Sequence, residues 1–279
     1  MAVKIITDTS CDLPDDILEQ YDIEMIPLKV AFANGETFLD RFEISPKTFW
    51  ARMMASKFLP QTSAPDPVTF LQYFEQGLKE KGEVIFISLS SGLSSTFQTA
   101  RMACDMLGIN SVRIFDTFSA SMGTGLMAIK AARLAMQGCS LDTLCHRLIN
   151  IRSKNETIFT LDSLENVVKG GRLSRIEGLA GTILNIKPIL RGINGRPEVI
   201  EKVRGRKKAI KRLLTLTNEL GGENLSARIV GITHVDCENE ALELEQEIKK
   251  RFNPQKIIVS EMGATIGTYA GQGGLMINF

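Results

Sequence analysis

Residues 3–10 read Val3-Lys4-Ile5-Ile6-Thr7-Asp8-Thr9-Ser10, a short β-branched run that stops at an acid and two hydroxyls. A compact apolar run of this length fits a strand buried within a parallel sheet, and its polar end fits the loop leaving the strand. Leu13-Pro14-Asp15-Asp16 follows and predicts a helix start, because proline is tolerated in the first turn and acids complement its dipole. Residues 23–32 read as the next extended stretch. Residues 84–88 and 112–116 are further short apolar strands, each followed by helical periodicity, at 94–107 and 120–137. Strands alternating with helices predict a parallel α/β sheet. Ligands of such sheets bind at the carboxyl ends of the strands. Here those ends carry Asp8-Thr9-Ser10, residues 88–95 and Asp116-Thr117, so a site is expected there.

The chain turns polar at 150–157, and a second unit begins with Ile158-Phe159-Thr160-Leu161. Strands are expected at 228–234, 256–260 and 275–279. Between them, 239–252 reads as an amphipathic helix with acids early and Lys249, Lys250 and Arg251 late, matching the helix dipole. The expected architecture is α/β: an N-terminal parallel-sheet α/β domain over 1–155, and a C-terminal α+β domain over 156–279. The length of 279 residues exceeds the usual single domain, and 44% apolar residues suffice for a sizeable core.

Composition removes several function classes. Thirty-three basic residues against 32 acidic ones leave a net charge of +1, without the dense positive surface that nucleic-acid binding needs. The five cysteines (Cys11, Cys104, Cys139, Cys145, Cys237) form no C-x-x-C pair, and the two histidines are His146 and His234. Neither a zinc site nor a Ser-His-Asp arrangement is expected, and no G-x-S-x-G elbow is present. Free thiols fit a reducing cytosol. The N-terminus lacks a signal-peptide pattern, and no apolar run approaches the roughly 20 residues that cross a bilayer, so a soluble cytoplasmic protein is expected. Asp8 and Asp116 remain as acid–base candidates, but carboxylates at strand ends more commonly hold loops, and catalysis is not expected.

Four stretches stand out. In Ser88-Leu89-Ser90-Ser91-Gly92-Leu93-Ser94-Ser95-Thr96 a strand enters a helix, and the amides after Gly92 are expected to point outward. With the hydroxyls of Ser94 and Ser95 they would favour a carboxylate or phosphate, although serine N-capping explains the pattern equally simply. Gln61-Thr62-Ser63-Ala64-Pro65-Asp66-Pro67 reads as a rigid loop that presents the Thr62 and Ser63 hydroxyls ahead of a helix; a capping loop is the plain account. Lys169-Gly170-Gly171-Arg172-Leu173-Ser174 lacks P-loop spacing, and no G-x-G-x-x-G follows the first strand, so nucleotide binding is unsupported. Arg172 offers a donor fork for an acid, for bridging backbone carbonyls or for a salt bridge. Finally, residues 196–212 hold eight basic residues and two acids. A solvated helix face is the usual meaning of such a run; an acidic partner surface is the sharper one.

Taken in order, these stretches resemble the DegV family along essentially the whole chain. The matching pieces are Ile6-Thr7-Asp8-Thr9-Ser10-Cys11-Asp12-Leu13-Pro14, Thr62-Ser63-Ala64-Pro65, Ser90-Ser91-Gly92-Leu93-Ser94-Ser95-Thr96-Phe97-Gln98-Thr99-Ala100 and the stretch from Lys169 to Ser174. They continue with Leu184-Asn185-Ile186-Lys187-Pro188-Ile189-Leu190, Lys202-Val203-Arg204 and Gly267-Thr268-Tyr269-Ala270-Gly271. The resemblance implies a lipid tunnel between two domains that holds one long-chain fatty acid. It also implies carboxylate binding by Thr62, Ser63, Ser94, Ser95, Arg172 and Tyr269. A separate ATP-dependent fatty acid kinase subunit would phosphorylate that carboxylate, docking on Lys202, Arg204 and Arg206. No cofactor beyond the bound fatty acid is implied, the chain itself would be non-catalytic, and transient contact with a membrane surface is a further implied interaction. The chain departs from the family pattern at Ala64, usually glutamine, and at Tyr269 and Gln272, where a histidine and a proline are usual. The alternative is an enzyme acting on a small phosphorylated or hydroxylated substrate at the strand ends. A third reading, a regulatory module that binds nucleic acid through 196–212, fits the near-neutral charge least well.

Overall fold

The first strand forms where the sequence places it. In the computed structural model, which describes residues 2–173 and 185–279, β1 (Ala2–Asp8) leads through a short 3-10 turn to α1 (Asp15–Gln20) and β2 (Ile23–Ile26). There follow β3 (Lys29–Ala31), β4 (Thr37–Leu39), α2 (Pro46–Ala55), β5 (Gln61–Ser63), α3 (Pro67–Lys81) and β6 (Gly82–Ser88). This half is completed by α4 (Thr96–Leu107), β7 (Val112–Asp116), α5 (Met122–Met136) and α6 (Leu141–Arg152). Four strands pair in parallel in the order β2-β1-β6-β7. Side-chain alternation along β1 explains the layers. Ile6 joins Phe70, Phe74 and Ala100 on the α3–α4 face, while Ile5 joins Leu126, Ile129 and Leu144 on the α5–α6 face.

The remaining elements are β8 (Thr157–Thr160), α7 (Glu165–Lys169), β9 (Ile186–Ile193), β10 (Arg196–Arg204), α8 (Arg206–Gly221), β11 (Ile229–His234), α9 (Glu238–Phe252), β12 (Lys256–Glu261), α10 (Ala264–Ala270) and β13 (Leu275–Asn278). Their strands form a mixed sheet in the order β10-β9-β8-β13-β11-β12, in which β11 and β12 are parallel and the other pairs antiparallel. Its α8–α9 face buries Ile158, Ile232 and Ile277 against Leu213, Leu244 and Ile248. The two sheets share α5: the core that holds Ile5 and Leu126 also takes in Ile229 and Ile258, and Met122 lies directly over Gly231.

Three stretches differ from the sequence expectation. The extended run 23–32 divides after Ile26. Pro27 has no N–H to continue the ladder, and the Leu28 amide turns to donate to Thr9 Oγ1 at 3.0 Å. Its second half becomes β3, the centre of a separate antiparallel sheet in the order β4-β3-β5. Residues 61–63, expected as loop, form β5, with Thr62 opposite Val30. Residues 196–212, weighed as a helix face, are a strand followed by the start of α8. Ser174 and Leu184 of the quoted motifs lie outside the described residues.

Helix α10 is fixed from the other half of the chain. Asp40 accepts from the amides of Ala264 (2.8 Å) and Thr265 (2.9 Å) and from Thr265 Oγ1 (2.6 Å). Asp12 accepts from the Gly263 amide at 2.8 Å and from Ser121 Oγ at 2.5 Å. Burial pushes the Asp12 carboxyl up to about 7 and raises Asp40 as well, against the opposing pull of these hydrogen bonds. A carboxyl whose folded pKa lies above its ordinary 3.8 stabilises the fold fully at acid pH, and that contribution fades as pH rises through the folded value. The wild-type chain should therefore lose stability relative to Asp12→Asn as pH rises from about 4 to about 7, measured by denaturant midpoints. A difference that does not change with pH would show that Asp12 titrates normally.

Candidate functional site

The strand ends of the parallel sheet are locked. Asp8 Oδ1 accepts from the Ser10 amide (3.0 Å) and the Ser10 hydroxyl, and Oδ2 accepts from the Leu89 amide at 3.2 Å. Burial pushes Asp8 up to about 6. Asp116 Oδ1 accepts from the amides of Ser91 (3.2 Å) and Phe118 (3.1 Å). Both acids thus hold the loop that follows β6. The loop amides expected to point outward are largely taken up inside it: Gly92 N–H donates to Ser90 Oγ (3.1 Å), and the Leu93 and Ser94 amides donate to the Ser90 carbonyl (3.0 and 3.3 Å). The amides of Gly92, Leu93 and Ser94 are therefore not free to cradle an anion, and side chains are the remaining donors of this stretch.

Four donor side chains meet at one end of a cavity between the two sheets. Thr62 Oγ1 and the Tyr269 hydroxyl lie 2.7 Å apart. Two hydroxyls carry two hydrogens, and their mutual bond uses one, so one remains to donate elsewhere. Ser94 Oγ accepts from the Thr96 amide at 3.2 Å and lies 2.9 Å from Thr96 Oγ1. When Thr96 donates in that contact, the Ser94 hydrogen is free as well. Arg172 donates through Nε to the Leu93 carbonyl (3.2 Å) and through Nη1 to the Gly170 carbonyl (2.7 Å), and its guanidinium stacks 4.4 Å over the Tyr269 ring. Among the described residues it has no acid partner. Bridging of backbone carbonyls, rather than a salt bridge, is its anchor. All four side chains are half-buried, and a cluster of hydroxyl and guanidinium donors without a competing carboxylate suits an anion.

The rest of the lining is mainly apolar, with Leu28, Leu89, Phe159, Leu161, Ile266 and Met276 among its walls and Ser119, Thr157, Thr265 and Arg196 as its further polar members. The cavity is also narrow. Its empty space totals about 870 Å³ with the mouth included, yet only about 110 Å³ lies far enough from every wall to seat the centre of a water. A largely apolar cavity whose lining also holds hydroxyls and a guanidinium fits an amphiphile better than a compact polar substrate.

Four of the six side chains anticipated at the head group (Thr62, Ser94, Arg172 and Tyr269) line this cavity, and two do not. Ser63 is exposed because neighbouring residues of β5 face opposite ways, and Ser95 is exposed at the start of α4. In the basic stretch, Lys202 and Arg204 project to solvent from alternate positions of β10. Arg206 does not. It pairs with Glu240 (2.6 Å) and Asp162 (3.4 Å) and is only 17% exposed, so it pins α8 to its neighbours. Arg212 is likewise held by Glu201 and Glu219. Sequence reading singled out the Gly170-Gly171 pair but not what packs on it: Gly170 leaves room for the Tyr269 ring, and a Cβ there would overlap two ring carbons. No local pattern marks that contact across 99 residues. It also missed the hairpin of β9 and β10, although Asn194-Gly195 between apolar runs is the usual sign of one.

The fold and cavity define a class of two-sheet α/β proteins with a largely apolar cavity between the sheets. The chain belongs to the DegV family, whose pattern matches residues 2–279. Protein DegV of Bacillus subtilis is 34% identical over 278 residues, covering 99% of this chain and 98% of that one. A DegV family protein from Thermus thermophilus, described as fatty acid binding, superposes with a TM-score of 0.92 at 28% identity, covering 100% and 99% of the two chains. The fatty acid kinase B3 protein of Streptococcus pneumoniae, loaded with linoleic acid, shares the fold (TM-score 0.86, 22% identity, 100% and 99% covered).

Gly170→Ala should drive the Tyr269 ring off Arg172 and Thr62 and lower stability by about 1–3 kcal/mol. Thermal unfolding would measure it, and an unchanged melting temperature would show that the ring is not confined as described.

Proposed function

We propose that this chain is a non-catalytic carrier that binds one long-chain fatty acid in the tube and presents its carboxylate to a separate ATP-dependent kinase. The observation that carries this reading is the junction of a narrow apolar cavity with the Thr62–Tyr269–Arg172–Ser94 donor cluster. About 15 methylenes leaving water at ~0.8 kcal/mol each contribute on the order of 12 kcal/mol before association costs. Withdrawing a carboxylate from water opposes that gain unless donors replace its hydration, and the cluster supplies them. In the kinase step a carboxylate oxygen attacks the γ-phosphorus of ATP and ADP leaves, so the head group must lie near the protein surface, where a partner can reach it. Lys202 and Arg204 on β10 and Lys207, Lys208 and Lys211 on α8 are exposed and would suit an acidic partner surface. No helix among the described residues is long and apolar enough to cross a membrane; exchange of the acyl chain would need only transient contact with a membrane surface.

Mass spectrometry of the protein extracted under denaturing conditions should release a C14–C18 fatty acid at about one per chain. A nucleotide, or no ligand, would contradict the carrier reading. Thr62→Ala combined with Ser94→Ala should weaken acyl affinity roughly 10- to 100-fold in a displacement assay, since each removes a hydrogen bond to a charged group. Unchanged affinity would remove both residues from the site.

A further inference from the structure

A second arginine lines the same cavity. Arg196 opens β10, immediately after the Asn194-Gly195 turn. Both turn residues have positive φ (49° and 78°), and Arg196 pairs with Ile193 across it, which defines a tight two-residue hairpin. The turn is tied to the loop after β6 by a 2.7 Å hydrogen bond from Ser90 Oγ to the Gly195 carbonyl. That contact brings the Arg196 side chain against Gly92, two residues before Ser94. A Cβ at Gly92 would lie 3.1 Å from Arg196 Cγ, 3.4 Å from its Nε and 2.9 Å from the Gly195 carbonyl oxygen. The guanidinium is thus positioned by a rigid turn and not by a free loop.

Its charge is also unanswered. Arg191, Arg206 and Arg212, from the same hairpin and the helix after it, are each held by a carboxylate. Arg196 has no acid partner among the described residues. Arg172 is already anchored to two backbone carbonyls and stacked on Tyr269, so with the hydroxyls it accounts for a singly charged carboxylate. A second, exposed arginine on the same cavity, against the loop that carries Ser94, offers more positive charge than a carboxylate requires. A phosphorylated acyl head group, which carries a charge of about −1.5 to −2, would use it.

We propose that Arg196 is a specificity-determining residue that favours an acyl phosphate over the free fatty acid. This rests on the carrier reading and extends it: the protein would hold the kinase product more tightly than its substrate and so keep the labile anhydride from water until a consuming acyltransfer reaction takes it.

The test compares hexadecanoate with hexadecylphosphonate, a stable doubly charged mimic, at mildly alkaline pH in displacement assays. Arg196→Ala should weaken phosphonate binding about five- to tenfold, allowing for exposure of the side chain, and leave hexadecanoate within about twofold. Arg196→Lys should fall between, since it keeps the charge and loses the fork. Equal loss of both ligands, or no loss of either, would overturn the proposal. Failure of both ligands to bind the unmodified protein would overturn the carrier reading itself, and Arg196's role with it.

Discussion

Two carboxylates of the N-terminal half hold the first amides of a short helix in the C-terminal half. Asp40 and Asp12 meet α10 at Gly263, Ala264 and Thr265, and all three carbon frames are buried. Acids withdrawn from water this completely are tolerable only when donors replace their hydration, so the contact fixes the helix in both position and direction. The cavity depends on this helix. Ile266, Tyr269 and Ala270 face the tube from α10, and Tyr269 reaches across to Thr62 on β5 and under Arg172 beyond α7. The donor cluster is therefore assembled from four separate segments, none of which could form it alone.

That assembly explains the division of labour between loop and side chains. The serine-rich loop after β6 looks like an anion cradle, but its amides satisfy Ser90 and Asp116 internally. What it contributes is stiffness, together with the Ser94 hydroxyl and the Leu93 carbonyl that seats Arg172. Neutral hydroxyls could adapt their hydrogens to an anion beside the anchored guanidinium of Arg172. Tyrosine at 269 keeps a donor there without adding a titratable cation near neutral pH.

Much of this was legible in the sequence, for identifiable reasons. The β-branched runs at β1, β6 and β7 and the periodicity of α4, α5 and α9 are local signals, and the elements formed within a few residues of expectation. Thr62, Ser94 and Arg172 stood out from their local patterns, each beside a plain structural account; their convergence, and Tyr269 as the fourth member, came only from the family resemblance, because the cluster spans 207 residues of chain between Thr62 and Tyr269. Ser63 and Ser95 were carried along as neighbours, and the period of a strand and the start of a helix turned them outward. Arg206 looked like part of a free basic patch, since its partners Asp162 and Glu240 are distant in sequence. The break at Pro27 and the Asn194-Gly195 hairpin were readable and went unread.

The most direct measurement is a crystal structure of the protein as purified, without added lipid. An acyl chain should fill the tube past Phe159 and Met276, with its carboxylate within hydrogen-bond distance of Thr62 and Ser94 and beside Arg172. A water-filled or collapsed cavity, or an acyl chain lying with its carboxylate away from these groups, would contradict the account.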